Sequence, residues 1–443
     1  MASERIIVIG GGFAGLLAGY RAAQRGARVS VLEAAERVGG AITTAMVDGI
    51  EVNTGAEAFA NAGGRMLALV EELGLPVVQP AGTTSLIASD ERTFESVRAS
   101  ILGMPASPLS AEVRRALGPR HALRAAAERL IPARVGNRDG ITVGEFVRTR
   151  YGRAVHDLLV APLVTGVFSS EPDRLELDTV LPRMRPLLSE HGSAQRAVAH
   201  LLAERGRRDG AGAAVSSVTP SMAEIPRELA RRIRSMGGVI QLRAPVTAIE
   251  RTDTGWRVNG QDADRLVIAT DPDSTRSLLE PVLPELAAQI PAAEATRVRL
   301  ATLVVTSQQL DRAEPANGAL VTPNARTITA KAMTNATAKW AHMRPPGKHV
   351  LRLSYGRAGA AMPDRSALPD RARQDAERIL GVTDLRIIDS AVTDHDRTMR
   401  QSSAGDRAAL TRLRSQLPPT LELSGAWIDG TGLEAITRER DSR

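Results

Sequence analysis

Three glycines near the start of the chain, Gly10, Gly12 and Gly15, are spaced as G-x-G-x-x-G, with Phe13 and Ala14 between the last two. Glycines at this spacing let a backbone turn sharply, lie against a ligand and pack a helix close to a strand. That is the chemistry of pyrophosphate held by main-chain N–H groups. An acid follows, Glu33, with Ala34 beside it. It stands about 20 residues beyond the glycines, where a carboxylate reaches a ribose diol. Arg37, Gly39, Gly40 and Ala41 come next. The paired glycines allow a second close backbone approach, and the guanidinium suits a phosphate or a ribose.

Such residues need elements to hold them. Ile6 to Ile9 is a continuous β-branched run and reads as a buried parallel strand. Leu16 to Arg25, rich in Ala and Leu and closed by Gly26, reads as a helix whose N-terminus meets the glycines. Arg28 to Leu32 is a second strand that delivers Glu33. A lone glycine motif is weak; strand, glycines, helix, strand and acid in this order specify an α/β unit of Rossmann type that binds a dinucleotide. Further along, Ile225 to Met236 predicts an amphipathic helix ending at Gly237. Val239–Leu242, Pro245–Ile249 and Trp256–Val258 predict strands, and Asp264–Thr270 predicts a return to the main sheet. Residues 298–306 and 349–355 predict strands of a second region. Ala122 to Leu130 reads as helical, and Arg205 to Gly212 as a loop.

The segment Arg37 to Thr44, R-x-G-G-x-x-x-T, resembles the flavin amine oxidase superfamily, which continues the dinucleotide fingerprint in this way. The resemblance implies non-covalent FAD rather than NAD. Gly55 to Phe59 resembles that family's segment near the flavin ring, and Val246 falls where the family's backbone meets the adenine. Leu421 to Leu433 resembles its closing motif, so Gly425, Trp427, Gly432 and Leu433 are candidate cofactor contacts. A helix beginning near Gly432 is expected to aim its dipole at the pyrimidine side of the flavin. Thr142–Val147 before Arg150-Tyr151-Gly152, Ala161–Phe168 before Pro172–Leu175, and His191-Gly192-Ser193 resemble the protoporphyrinogen and coproporphyrinogen oxidase branch. Lys339-Trp340 ahead of Pro346–Arg352 does so too.

This resemblance implies hydride transfer from a small-molecule substrate to flavin N5, with oxygen as acceptor and hydrogen peroxide as product. It also implies an FAD domain interleaved with a mixed α+β substrate domain. The expected division is 1–80, 216–290 and 411–443 for the first, and 81–215 and 291–410 for the second. Lys339, one of three lysines with Lys331 and Lys348, is the candidate catalytic base, acting through a water. Arg183 and Arg185 are candidate clamps for substrate carboxylates. The chain departs from the branch at Pro220-Ser221-Met222 and between Val392 and Leu413, which has no Trp, Pro or Tyr; it also carries only 5 Phe, 3 Tyr and 3 Trp. A second reading follows: a repurposed relative that oxidises or desaturates a non-porphyrin amine or ring substrate.

Composition excludes other classes. There is no cysteine, hence no disulfide, thiolate metal site or cysteine-linked flavin. The net charge is +7, but the arginines are scattered among Asp and Glu, which argues against nucleic acid. No histidine pair has metal-ligand spacing, so no metal is expected. No apolar run approaches the roughly 18–20 residues of a membrane span, and the first residues run straight into a strand rather than a signal peptide. A cytoplasmic protein is expected, with Ile101 to Met104 either a peripheral membrane contact or a buried loop. The oligomeric state stays open.

Overall fold

The computed structural model describes residues 3–61, 63–82, 84–168, 170–209, 215–292, 295–313, 316–357, 360–400, 406–430 and 432–438. The apolar run at the amino end becomes the strand Arg5–Ile9, buried from Ile6 onward. It is the centre of a five-stranded sheet ordered Val239–Gln241, Arg28–Leu32, Arg5–Ile9, Arg265–Ile268, Leu421–Leu423. Every pairing in it is parallel. Parallel strands need cover on both faces. The helices Phe13–Gln24 and Glu224–Ser235 give it on one side, through Leu16, Leu17, Leu229 and Ile233. The small hairpin sheet built from Ile249–Thr252, Gly255–Val258 and Gln261–Ala263, with Trp256 fully buried, covers the other. The α/β fold read from the sequence is therefore the fold found.

A second, seven-stranded sheet is ordered Arg386–Arg400, Ala295–Thr306, His349–Tyr355, Ala332–Asn335, Gly318–Val321, Leu86–Ala88, Thr93–Glu95. It is antiparallel except where Gly318–Val321 meets Leu86–Ala88. The helix Leu368–Leu380 packs Ala372, Ala376 and Ile379 onto one face, against Leu353 and Tyr355. The opposite face turns toward the parallel sheet.

Helices between residues 111 and 209 form a third layer around Phe146, Tyr151, Val155 and Leu188. At its centre is a fully buried ion pair, Arg150 with Glu128. Arg150 Nε donates to Glu128 at 2.8 Å, and Nη1 donates to the carbonyls of Pro132 (2.9 Å) and Val135 (3.2 Å). Glu128 also accepts from Ser193 Oγ at 2.6 Å and from the Ala194 N–H at 2.7 Å. Two motifs far apart in sequence, Arg150-Tyr151-Gly152 and His191-Gly192-Ser193, are thus tied by one carboxylate. Glu128→Ala would strand a buried guanidinium, at a cost of about 3–5 kcal/mol. Urea unfolding should show that loss; a wild-type midpoint would mean that the pair adds nothing to the fold.

Two local expectations need correction. The segment 245–248 is not a strand; pairing begins at Ile249. The Ala194 helix runs on to Asp209, so 205–209 is helical where a loop was expected, and the remaining loop residues 210–212 lie outside the described residues. The helical reading of Ala122–Leu130 holds, as a helix Pro119–Ala126 that tightens into a 3-10 turn, Ala127–Leu130. Of the two readings of Ile101 to Met104 the buried one is found: Met104 is buried in the helical core with Ile101 and Leu102 packed against it. Among the described residues, no helix is long and apolar enough to cross a membrane.

Candidate cofactor and active site

The glycine turn has the geometry that its spacing predicts. Gly10 has φ +103, and a Cβ on Gly15 would fall 2.0 Å from the Gly10 carbonyl oxygen, so only glycine lets the helix sit this close to the strand. The second glycine loop lies edge to edge with the first. Gly12 and Gly39 form a parallel bridge, and the Gly39 N–H donates to Gly11 O at 2.8 Å. A Cβ on Gly12 would meet nothing nearer than the Gly40 Cα at 4.0 Å. The result is a ledge of bare backbone. The helix Phe13–Gln24 begins on this ledge with no side-chain cap and no acid in its first turn. Its first N–H groups are left for an anion. Phe13 and Ala14 are buried and offer their main chain only.

Glu33 stands at the end of the ledge. Its carboxylate accepts from the N–H of Gly11 (2.6 Å) and of Ala35 (2.8 Å), one on each oxygen. Each oxygen keeps a lone pair for a hydroxyl. Ala34 is exposed beside it. The Ala244 N–H donates to Glu33 O and the Arg243 N–H to Ala35 O, which brings the half-buried Val246 into the same corner. Arg37 stands exposed on the second glycine loop. Its guanidinium donates to the carbonyls of Val38, Gly40 and Ile42 and braces its own loop.

That loop carries on to a strap, residues 53–57. The Ala56 N–H donates to Ala41 O at 3.0 Å and the Thr54 N–H to Thr43 O at 2.9 Å. The seven-stranded sheet grips the strap from the other side. Arg352 Nη1 donates to Gly55 O at 2.6 Å and Asn53 O at 3.2 Å, and His395 Nε2 lies 2.6 Å from Thr54 O. Glu57, buried, is the knot. It accepts from Trp340 Nε1 at 2.6 Å and Arg352 Nη2 at 2.9 Å, with Lys339 Nζ at 3.4 Å. Burial pushes its carboxyl up, but Arg352, Lys339 and the Trp340 N–H together outweigh this and hold it below the ordinary carboxylate range. Lys339 also lies 5.0 Å from the Trp340 ring centroid. The structure therefore places the candidate base in an ion pair. Glu57, Arg352 and His395 were not singled out as site residues, although Glu57 and Arg352 belong to motifs quoted above.

At the carboxyl end, Gly425 takes φ +135 and donates its N–H to Asp429 Oδ2 at 2.8 Å. Trp427 is buried and donates to Thr270 O at 3.0 Å, fastening the closing segment to the parallel sheet. The helix expected near Gly432 is a single turn, Leu433–Ile436. Its dipole is correspondingly small. Glu434 instead caps the helix Arg65–Glu72 by accepting from the N–H of Met66 (2.8 Å) and Arg65 (3.2 Å). Thr431 lies outside the described residues. Arg183 and Arg185 are not brought to this site: Arg183 pairs with Glu204, and Arg185 with Asp139 and Asp178. Among the described residues no group of three His, Asp or Glu side chains could hold a metal ion.

Comparison with known proteins agrees with this geometry. Coproporphyrinogen III oxidase of Mycobacterium tuberculosis is 29% identical over 456 residues, spanning 98% of this chain and 95% of that one. The coproporphyrinogen III oxidase of Propionibacterium freudenreichii is 27% identical, spanning 99% of this chain and 89% of its own. The crystal structure of a protein from Exiguobacterium sp. 255-15, provisionally named protoporphyrinogen oxidase, matches with a TM-score of 0.84 at 24% identity, over 99% of this chain and 97% of that one. The family model described as flavin containing amine oxidoreductase matches residues 13–409. The chain belongs to the flavin containing amine oxidoreductase family.

Proposed function

We propose that this protein is an FAD-dependent porphyrinogen oxidase, taking hydride from a carbon of a coproporphyrinogen-type ring and passing the electrons to oxygen. The observation that carries the cofactor half is the bare ledge of Gly12 and Gly40 ending at the pinned carboxylate of Glu33. It fits a pyrophosphate flanked by a ribose. The end-to-end likeness to coproporphyrinogen oxidases carries the substrate half. When bound, FAD supplies the hydride acceptor at N5 and the route to oxygen.

The chain's own residues would then divide the work. The N–H groups from Gly12 to Gly15, at the N-terminus of the first helix, hold the pyrophosphate. Glu33 takes the ribose hydroxyls, with Ala34 and Val246 beside the adenine. Gly39, Gly40 and Ala41, braced by Arg37, present backbone to the flavin side, and Gly425, Gly432 and Leu433 close over it from the carboxyl end. Trp427 anchors that closing segment. Lys339 serves as counter-charge to Glu57, which fixes the strap next to Ala41. The absence of cysteine supports a non-covalent flavin and fits a reducing compartment. Residues 1–80, 216–290 and 411–443 form the FAD unit in this reading, and 81–215 with 291–410 the substrate unit.

The non-porphyrin alternative draws no support from the departure at 220–222. Ser221 and Met222 are buried in the core of the parallel sheet, and the Met222 N–H donates to Asn53 Oδ1. The change is absorbed by packing. Coproporphyrinogen III in air should yield porphyrin fluorescence well above the uncatalysed rate, with peroxide formed in step. A yellow protein that gives no acceleration would end the porphyrin reading. Glu33→Ala should weaken FAD by about tenfold or more, the loss of charge-assisted hydrogen bonds. Titration of the apoprotein with FAD measures this; an unchanged affinity would remove Glu33 from the site.

A further inference from the structure

Where the seven-stranded sheet grips the strap there is a small cavity of about 10 Å³, room for one water molecule. Asn53 and Glu57 of the strap line it, together with Thr302, Arg352, Val350 and Trp340. Register confirms that the sheet residues belong to one face. Thr302 pairs directly with Arg352, and Val304 with Val350, so all four side chains lie on the same side of the sheet. Arg352 is the residue that holds Asn53 and Gly55. The cavity therefore sits inside the clamp between sheet and strap. It is well shielded: Asn53, Glu57, Val350 and Trp340 are buried, and Thr302 is only 1% exposed.

Thr302 is the residue that asks for a ligand here. Its Oγ1 is buried and has no hydrogen-bond partner among the described residues. A buried hydroxyl left unpaired is costly, and native interiors satisfy such groups with protein or with water. The other polar linings can serve the same water. Glu57 is an ionised acceptor with lone pairs on both oxygens. Asn53 gives its Oδ1 to the Met222 N–H at 3.0 Å and carries two amide N–H donors besides. A bound water needs two to four polar partners, and this cavity supplies an acceptor, a donor and a hydroxyl that is either. A cavity that stays dry is lined by apolar groups alone.

We infer that one internal water is bound in this cavity between Thr302 Oγ1 and the Glu57 carboxylate, and that it is a working part of the clamp on the strap. Thr302 is then a positioning residue, acting on the strap through the water and Glu57. The inference takes from the proposed function only that the strap faces the flavin; the ring substrate plays no part in it. The water's hydrogen bond favours the ionised form of Glu57, in the same sense as Arg352 and Lys339.

The test uses the flavin-loaded protein. Thr302→Val keeps the side-chain shape and removes the hydroxyl; Val350→Ile fills the cavity with one more methylene. With the water in place, each should lower the melting temperature by about 1–2 °C. Together they should lower it little further than either alone, because both displace the same molecule. Thr302→Val should also move the acid limb of the stability profile to higher pH, since Glu57 loses a donor to its ionised form, and Thr302→Ser should return it. A dry cavity reverses the signs. Valine would then remove an unpaired hydroxyl and isoleucine would fill a void, so both variants would melt above the wild type. That result overturns the inference, and an acid limb unmoved in Thr302→Val removes Thr302 as a positioning residue. A crystal structure of the flavin-loaded protein decides the site itself. Solvent density within about 3.2 Å of both Thr302 Oγ1 and Glu57 supports it, and none at Thr302 overturns it. No measurement here involves the ring substrate, so failure leaves the porphyrinogen reading intact, and the turnover assay judges that reading separately.

Discussion

Gly15→Ala is expected to give a colourless protein. The added Cβ would lie 2.0 Å from the Gly10 carbonyl oxygen and 3.1 Å from its carbonyl carbon. Both are backbone atoms of the turn itself, so no side chain can swing aside. Relief requires the helix Phe13–Gln24 to move off the strand Arg5–Ile9, which costs about 1–3 kcal/mol or more in a close-packed interior. The same movement draws the helix N-terminus away from the phosphate position, so flavin retention should fall more steeply than stability. Gly26→Ala is the control. Gly26 also has positive φ, +87, but nothing lies within 4 Å of its Cβ position. It should lose roughly 1 kcal/mol and stay yellow. The ratio of visible to ultraviolet absorbance of the purified proteins reads the difference. A Gly15→Ala protein with full flavin would refute the ledge as the pyrophosphate seat.

Glu57→Ala should be the most destabilising single change at the junction of the two sheets. It leaves Arg352 and Lys339 without their shared carboxylate and Trp340 Nε1 without an acceptor, all at a buried position. Removing one partner of a buried ion pair costs about 3–5 kcal/mol. The effect should reach the flavin, because Arg352 also holds Gly55, and a Cβ on Gly55 would lie 2.0 Å from Ala41 O. We expect a lower urea midpoint together with a changed flavin spectrum. The pH dependence follows from the direction of the shift. Glu57 is held below the ordinary carboxylate range in the folded state, so its contribution is complete at neutral pH and is lost only as pH falls through that depressed value. Glu57→Gln should therefore flatten part of the acid limb of the stability profile. A variant that matches the wild type in midpoint, spectrum and acid limb would show that the knot is incidental.

What could be read from the sequence was local. The strand at 5–9, its glycines and the strand ending at Glu33 follow from β-branched runs and from backbone geometry that acts over a few residues. What could not be read was long-range. Glu57 finds Trp340 and Arg352 only through folding, 283 and 295 residues away. Glu128, unremarkable in its own segment, joins Arg150 to Ser193. Segment 245–248 has strand-forming residues, yet the preceding residues are pinned to Glu33 and Ala35 by backbone hydrogen bonds and pairing is delayed to Ile249. Gly206 looked like a break, yet the helix passes through it. Its roughly 1 kcal/mol penalty is small beside tertiary packing. That Arg37 donates to the carbonyls of its own loop was not legible in its spacing either.

The most direct test of the account is anaerobic mixing of the flavin-loaded protein with coproporphyrinogen III, followed by absorbance and porphyrin emission. We predict that the oxidised flavin band bleaches as porphyrin emission rises, and that admitting air restores the band. A flavin that stays oxidised in the presence of the porphyrinogen, while dithionite still reduces it, would contradict the proposed function.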